Sequence, residues 1–300
     1  MLSVGIGGGG DVVGALATAD VARDAGLGAH VGGVTWERRP IDPRPGPRRL
    51  DEVDGLLERL GPWAALAGPD TEGPGRFRFA ESHMARFLGE PVALIDPHGG
   101  PPGTAEALAS AAERLGCDAI ALVDVGGDVL AHGDEPGLAS PLCDAVLLAA
   151  ARHLALPCVG VVFGPGCDGE LRPGEVSERV AEVAAAGGLL GAWGLTPAEV
   201  ERLEAAVAEV PTEASAQALR CARGEYGAGT IRGGRRAVEL SPLGAVAFYY
   251  EPEAALRSAA RLAAAVIDAD SLEAAEEILA ALGVQSELAT ERRVYAEAHA

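Results

Sequence analysis

The sequence predicts an α/β protein of Rossmann-like type, with an open, mostly parallel sheet, helices on both faces and a helical C-terminal part. Three observations predict it. Five short segments are apolar with little alternation, stretches with helical spacing lie between them, and each apolar segment runs into a corner rich in glycine, charge or both. Strands buried on both faces lose the polar alternation of half-exposed strands, and parallel pairing needs a crossover of helical length.

The first strand is expected over Leu2 to Ile6, followed by the turn Gly7 to Gly10 and a helix from Asp11 through Ala22. Further strands are expected over Ala29 to Trp36, Pro91 to Asp96, Cys117 to Val125 and Pro157 to Phe163. Between them, Gly103 to Leu115, Pro141 to Leu154 and about Gly174 to Ala186 read as Ala/Leu-rich helices. The pattern changes near residue 195. Thr196-Pro197-Ala198-Glu199 carries a capping threonine, a proline at the first helical position and a glutamate to close a capping box. A helical stretch is expected from there to about Arg223, then one further strand over Ala245 to Tyr250 and helices from Pro252 and Asp270. Residues 1–195 are thus expected to form the core, and residues 196–300 a helical extension packed on it. Glu37 to Asp54 and Gly68 to Gly75 read as long irregular pieces, which in compact domains are usually functional or mobile.

Composition removes whole classes of function. The chain has 44 acidic against 24 basic side chains, a formal charge of −20 and a pI near 4.6. Neither nucleic acid nor an anionic membrane surface is a suitable partner for such a chain. No apolar run approaches the roughly 20 residues of a spanning helix. The N-terminus lacks a basic segment ahead of an apolar one, so a cytoplasmic location is expected. The cysteines Cys117, Cys143, Cys158, Cys167 and Cys221 have no C-x-x-C spacing and read as small buried hydrophobes. The sequence contains no lysine, so all 24 cations are arginine. A pyridoxal phosphate Schiff base, a Walker A lysine and lysine general-base chemistry are all excluded.

In an open parallel sheet, ligands bind beyond the carboxyl ends of the strands, which makes the corners the place to look. Gly7, Gly8, Gly9 and Gly10 suit a backbone cradle for an anion at a helix N-terminus. Gly5, Gly7 and Gly10 also have G-x-G-x-x-G spacing, but Asp11 would oppose a pyrophosphate there unless a metal intervened. Glu37 is the only acidic candidate for a ribose after the second strand, so a nicotinamide oxidoreductase ranks third. Asp124 and Asp128 flank two glycines, as metal ligands or acid–base groups would; the alternative is that they hold turn amides. Asp96 and His98 pair a strand-end carboxylate with a titratable ring, and His132 with Glu135 is the second such place. Arg38 and Arg39, with Arg44, Arg48 and Arg49, form a positive island suited to phosphate, sulfate or carboxylate, or else a solvated loop paired with Asp42, Asp51 and Glu52. Trp36 beside Glu37 offers a ring for stacking or a wall for the loop. Ser140 reads as a helix N-cap ahead of Pro141.

These motifs carry a resemblance. Gly7-Gly-Gly-Gly-Asp11, Gly32-Gly-Val-Thr-Trp-Glu-Arg38, Asp42-Pro with Gly46-Pro, Asp124-Val-Gly-Gly-Asp128 and Ser140-Pro-Leu-Cys-Asp144 occur in order. Together they resemble the uncharacterised microbial family known as domain of unknown function 1152. The resemblance implies a Rossmann-like α/β protein, with some relatives in actinobacterial metabolite pathways, and implies no reaction.

The functional expectation is therefore a biosynthetic enzyme for an anion-bearing small metabolite, cleaving a C–O bond by elimination, cyclisation or hydrolysis. Gly7 to Gly10, Arg38 and Arg39 would hold the anion, Asp124 or Asp128 would act as base, and His98 would move a proton. One alternative is a nucleotide-using transferase or hydrolase in which Asp11, Asp124 and Asp128 gather Mg²⁺. Another is a non-catalytic subunit that binds a metabolite or nucleotide. The alanine-rich C-terminal helices leave a homodimer or a small partner subunit open.

Overall fold

The computed structural model describes residues 1–299. Among the described residues eleven strands form: β1 (Leu2–Gly5), β2 (His30–Val34), β3 (Glu58–Arg59), β4 (Ala64–Ala67), β5 (Val92–Ile95), β6 (Ile120–Val125), β7 (Cys158–Phe163), β8 (Leu189–Gly194), β9 (Gly227–Ile231), β10 (Arg236–Leu240) and β11 (Val246–Tyr250). Nine of them make one sheet in the order β3-β4-β5-β2-β1-β6-β7-β11-β8, and β9 and β10 pair separately. The central five, β5 to β7 in that order, are parallel. Antiparallel strands finish both edges.

Helices cover both faces. The first seven are α1 (Asp11–Asp24), α2 (Ala80–Leu88), α3 (Gly100–Arg114), α4 (Pro141–Ala150), α5 (Pro173–Ala185), α6 (Pro197–Glu209) and α7 (Ala214–Ala222). The chain closes with α8 (Pro252–Leu256), α9 (Arg261–Ala265), α10 (Leu272–Ala281) and α11 (Glu287–Ala298). Alternate strand residues divide between two cores. Leu2, Val4, Ile120 and Leu122 pack with α3, α4, α9 and α10. Ala121, Val123, Val161 and Phe163 pack with α1, α2, α6 and α7 on the other face. This division is why the strands show no polar alternation in sequence. No helix among the described residues is long and apolar enough to cross a membrane.

Three expectations are corrected. The helical stretch to Arg223 is two helices, because Val210 turns to extended backbone ahead of Pro211, which has no N–H to continue a helix. The C-terminal part supplies three strands rather than one, and β11 inserts between β7 and β8 in the main sheet. The strands β3, β4 and β8 and the helix α2 were not expected. β8 is an exposed edge strand of sequence Leu-Leu-Gly-Ala-Trp-Gly, whose two glycines weaken the strand pattern.

Strand order runs outward from β1 in both directions, to β2 on one side and β6 on the other. The crevice at the carboxyl ends of β1 and β6 is therefore the point at which order reverses, where open sheets hold ligands.

Candidate functional site

The β1 corner is built by glycine. Gly8 has φ +82°, a left-handed conformation that turns the chain back toward the start of α1. The Gly9 amide donates to the Trp36 carbonyl at 2.8 Å, which ties this corner to the one after β2. A Cβ on Gly7 would lie 2.6 Å from Asp11 Oδ2 and 3.2 Å from Asp144 Oδ2, so the missing side chain leaves room for two carboxylates. The Gly7 amide donates to Asp11 Oδ2 at 3.0 Å. The anion this turn holds is thus the chain's own.

Asp11 opens α1, Asp124 stands near the end of β6, and Asp144 sits in the first turn of α4. Each offers one carboxylate oxygen, and these oxygens lie within 4.8 Å of one another. Asp124 accepts the Val129 amide at 3.3 Å. Asp144 is 2 % exposed, and its Oδ1 has no hydrogen-bond partner. Burial is the largest influence on all three and raises them above the usual carboxylate range, Asp124 to about 7. Mutual repulsion adds to it: the Asp124 charge raises both Asp11 and Asp144.

A second triad adjoins the first. Asp128, in the short turn after β6, meets Asp168 and Glu170 from the corner after β7, again within 4.8 Å. The Asp128 carboxyl also lies within hydrogen-bonding reach of Asp124. Burial, then neighbouring carboxylates, raises Asp128 and Asp168. Glu170 is anchored by the Ala139 and Ser140 amides at 2.7 and 2.8 Å and by the Ser140 hydroxyl. Ser140 stands at the N-cap position of α4, as the sequence predicts, but its hydroxyl serves Glu170 and makes no cap hydrogen bond. Two unit charges about 5 Å apart at an effective dielectric near 20 repel by roughly 3 kcal/mol. Asp11, Asp124, Asp144, Asp128 and Asp168 therefore resist ionising together unless a cation comes among them.

The arginine that faces the first triad, Arg38, is already engaged. Arg38 Nη2 donates to the Gly7 carbonyl at 2.5 Å and lies 3.5 Å from Glu287, while Nη1 is 3.4 Å from Glu291. Its guanidinium stacks 4.6 Å over Trp36. Both glutamates come from α11. Glu287 accepts the Leu142 and Cys143 amides at 3.0 and 2.9 Å, which fills the N-terminus of α4. Glu291 accepts Trp36 Nε1 at 3.2 Å and the Gly46 amide at 2.8 Å. Trp36 is fully buried and walls the corner. Glu37 accepts the Ala80 amide at 2.5 Å, and burial raises it to about 7.

The remaining predicted residues lie outside this group. Arg39 is exposed. Asp96 accepts the Leu50 amide at 3.2 Å and pairs with His98 Nδ1 at 2.6 Å. His98 lines a separate cavity of about 230 Å³ with Arg48, Arg49 and Arg292. His132 Nε2 lies 3.0 Å from Glu182. Glu135 accepts the His132 and Gly133 amides and pairs with Arg179 at 3.1 Å. Within the Arg-rich loop, Arg48 pairs with Asp42 at 2.9 Å, the loop-pairing alternative. Asp144, Asp168, Glu170, Glu287 and Glu291 were not singled out. Asp144 and Asp168 had a signal, since each falls in a short motif after a parallel strand; the three glutamates had none.

A parallel sheet with six convergent carboxylates at its switch point defines a Rossmann-like α/β protein whose donor set is all oxygen. The chain belongs to the family described as Protein of unknown function (DUF1152), matched over residues 2–295. No curated protein and no solved structure matches it.

Proposed function

We propose that this chain is a divalent-cation-dependent enzyme that hydrolyses or transfers a phosphoryl group of a small metabolite or nucleotide. The observation that carries the reading is the Asp11–Asp124–Asp144 triad, gathered from three elements within 4.8 Å, with Asp124 and Asp144 buried and the Asp144 Oδ1 unpaired. Carboxylate oxygens suit Mg²⁺ or Mn²⁺ rather than softer metals. Around octahedral Mg²⁺, at about 2.1 Å per ligand, neighbouring oxygens stand ~3.0 Å and opposite ones ~4.2 Å apart, so an ion would draw the three carboxylates closer together. A bound ion would polarise a phosphoryl oxygen and acidify a coordinated water. It would also reverse the sign of a pocket that otherwise repels anions. Arg38, whose charge opposes those of Asp11 and Asp144 and whose side chain is 26 % exposed, would meet a phosphate by exchanging its contact with Glu287 or Glu291. The phosphoryl reading is preferred over C–O elimination because it uses the convergent carboxylates themselves, whereas elimination draws on Arg39, which is exposed, and on His98, which pairs with Asp96.

The test is phosphate release from a panel of nucleotides and sugar phosphates, with EDTA and then with Mg²⁺ or Mn²⁺. Turnover is expected only with the metal, and Asp144→Asn and Asp124→Asn are each expected to lower kcat about a hundredfold or more. Undiminished turnover in EDTA would sink the reading.

A further inference from the structure

We propose that a second divalent cation, Mg²⁺ or Mn²⁺, binds beside the first, held by Asp128, Asp168 and Glu170. This deepens the reading above and rests on it.

Asp168 carries the case. The residue is 8 % exposed, yet neither of its carboxylate oxygens has a hydrogen-bond partner. A buried carboxylate left so is costly unless something positive meets it. Its direction is fixed by Gly126: a Cβ there would lie 2.2 Å from both Asp168 Cγ and Oδ1. Bare backbone in the β6 corner thus admits the Asp168 carboxyl to the space shared with Asp128 and Glu170. Glu170 is anchored through Oε2 by two amides and through Oε1 by the Ser140 hydroxyl, with Arg232 at 3.5 Å and Arg236 at 3.4 Å from Oε1. Those arginines balance part of the charge of Glu170, and Arg236 offsets a smaller part of that of Asp168, while burial and the neighbouring carboxylates dominate both aspartates. The triads adjoin through Asp124 and Asp128, and two ions so held would clamp the entering and leaving oxygens of a displacement at phosphorus. A phosphate ester or anhydride is the substrate class such a pair takes.

The probe is Mn²⁺ alone, titrated into the metal-free whole chain and followed by electron paramagnetic resonance. Two ions per chain are expected for the native protein. Asp168→Asn and Asp144→Asn are each expected to keep one. Near-UV circular dichroism checks that each variant is folded, and Asp128→Asn replaces Asp168→Asn if it is not. A single ion in the native chain that Asp168→Asn retains would overturn the second site and leave the Asp11–Asp124–Asp144 reading standing. Loss of both ions from a folded Asp168→Asn would also overturn it, because the two positions would then not be separable. No Mn²⁺ bound to the native chain would remove both readings.

Discussion

Gly126 combines two demands that no other residue type meets. Its φ of +133° is one that L side chains avoid, and its α-hydrogen faces the carboxyl of Asp168 where a Cβ would overlap it. Gly126→Ala is therefore expected to destabilise the protein by about 3 kcal/mol, from backbone strain and overpacking together. Urea unfolding measures this directly. A loss below about 1 kcal/mol would mean that Asp168 swings aside freely and is not held toward the cluster. Asp144 makes a related point about burial: what marks it is a missing partner, which only coordinates reveal. In sequence it is one of 44 acidic residues.

Among the elements, α11 and α4 are the pair on which the site's shape depends. Glu287, on the first turn of α11, takes the two free amides at the start of α4, and Asp144 sits in that same turn. Replacing Glu287 with glutamine leaves one carbonyl for two amides and turns an NH₂ group toward the second. Glu287→Gln is expected to cost about 2 kcal/mol in urea unfolding and to weaken Mn²⁺ binding at the Asp144 position. An unchanged midpoint and affinity would show that α4 is fixed without α11. The parallel strands were legible because a two-sided core leaves a continuous apolar run, and Asp11, Asp124 and Asp128 were legible because they stand at strand ends. Glu287 and Glu291 were not. They lie more than 140 residues beyond α4's start and on a polar helix face that reads like any wetted one. Arg38 was legible as a charge near the crevice, but not as a charge already spanned by two glutamates of α11.

For the whole molecule, the buried carboxylates set how stability varies with pH. Free aspartate and glutamate titrate near pH 4 in the unfolded chain, whereas in the folded one burial raises Asp124 and Glu37 to about 7 and raises Asp11, Asp128, Asp144 and Asp168 as well. Between about pH 4 and pH 7 the folded state therefore binds more protons than the unfolded state, and stability falls as pH rises through that window. Glu135, Glu175 and Glu182 have the opposite sign. Their values are lowered by amide or arginine hydrogen bonds that outweigh partial burial. The stability they contribute is present above their unfolded values and is lost only as pH falls below about 4.5. The two groups thus act on different sides of pH 4.5. In EDTA, the melting temperature is expected to be higher at pH 5 than at pH 7.5. Mg²⁺ should reverse this, because it binds the ionised cluster. At a hundredfold excess over its Kd it adds about 2.7 kcal/mol at pH 7.5, a rise on the order of 5 °C for a chain of this size. At pH 5 protons compete for the same oxygens and the rise should be smaller. A melting temperature in EDTA that climbs from pH 5 to pH 7.5 would mean that the cluster is ionised and compensated without metal, and the cation reading would lose its electrostatic basis.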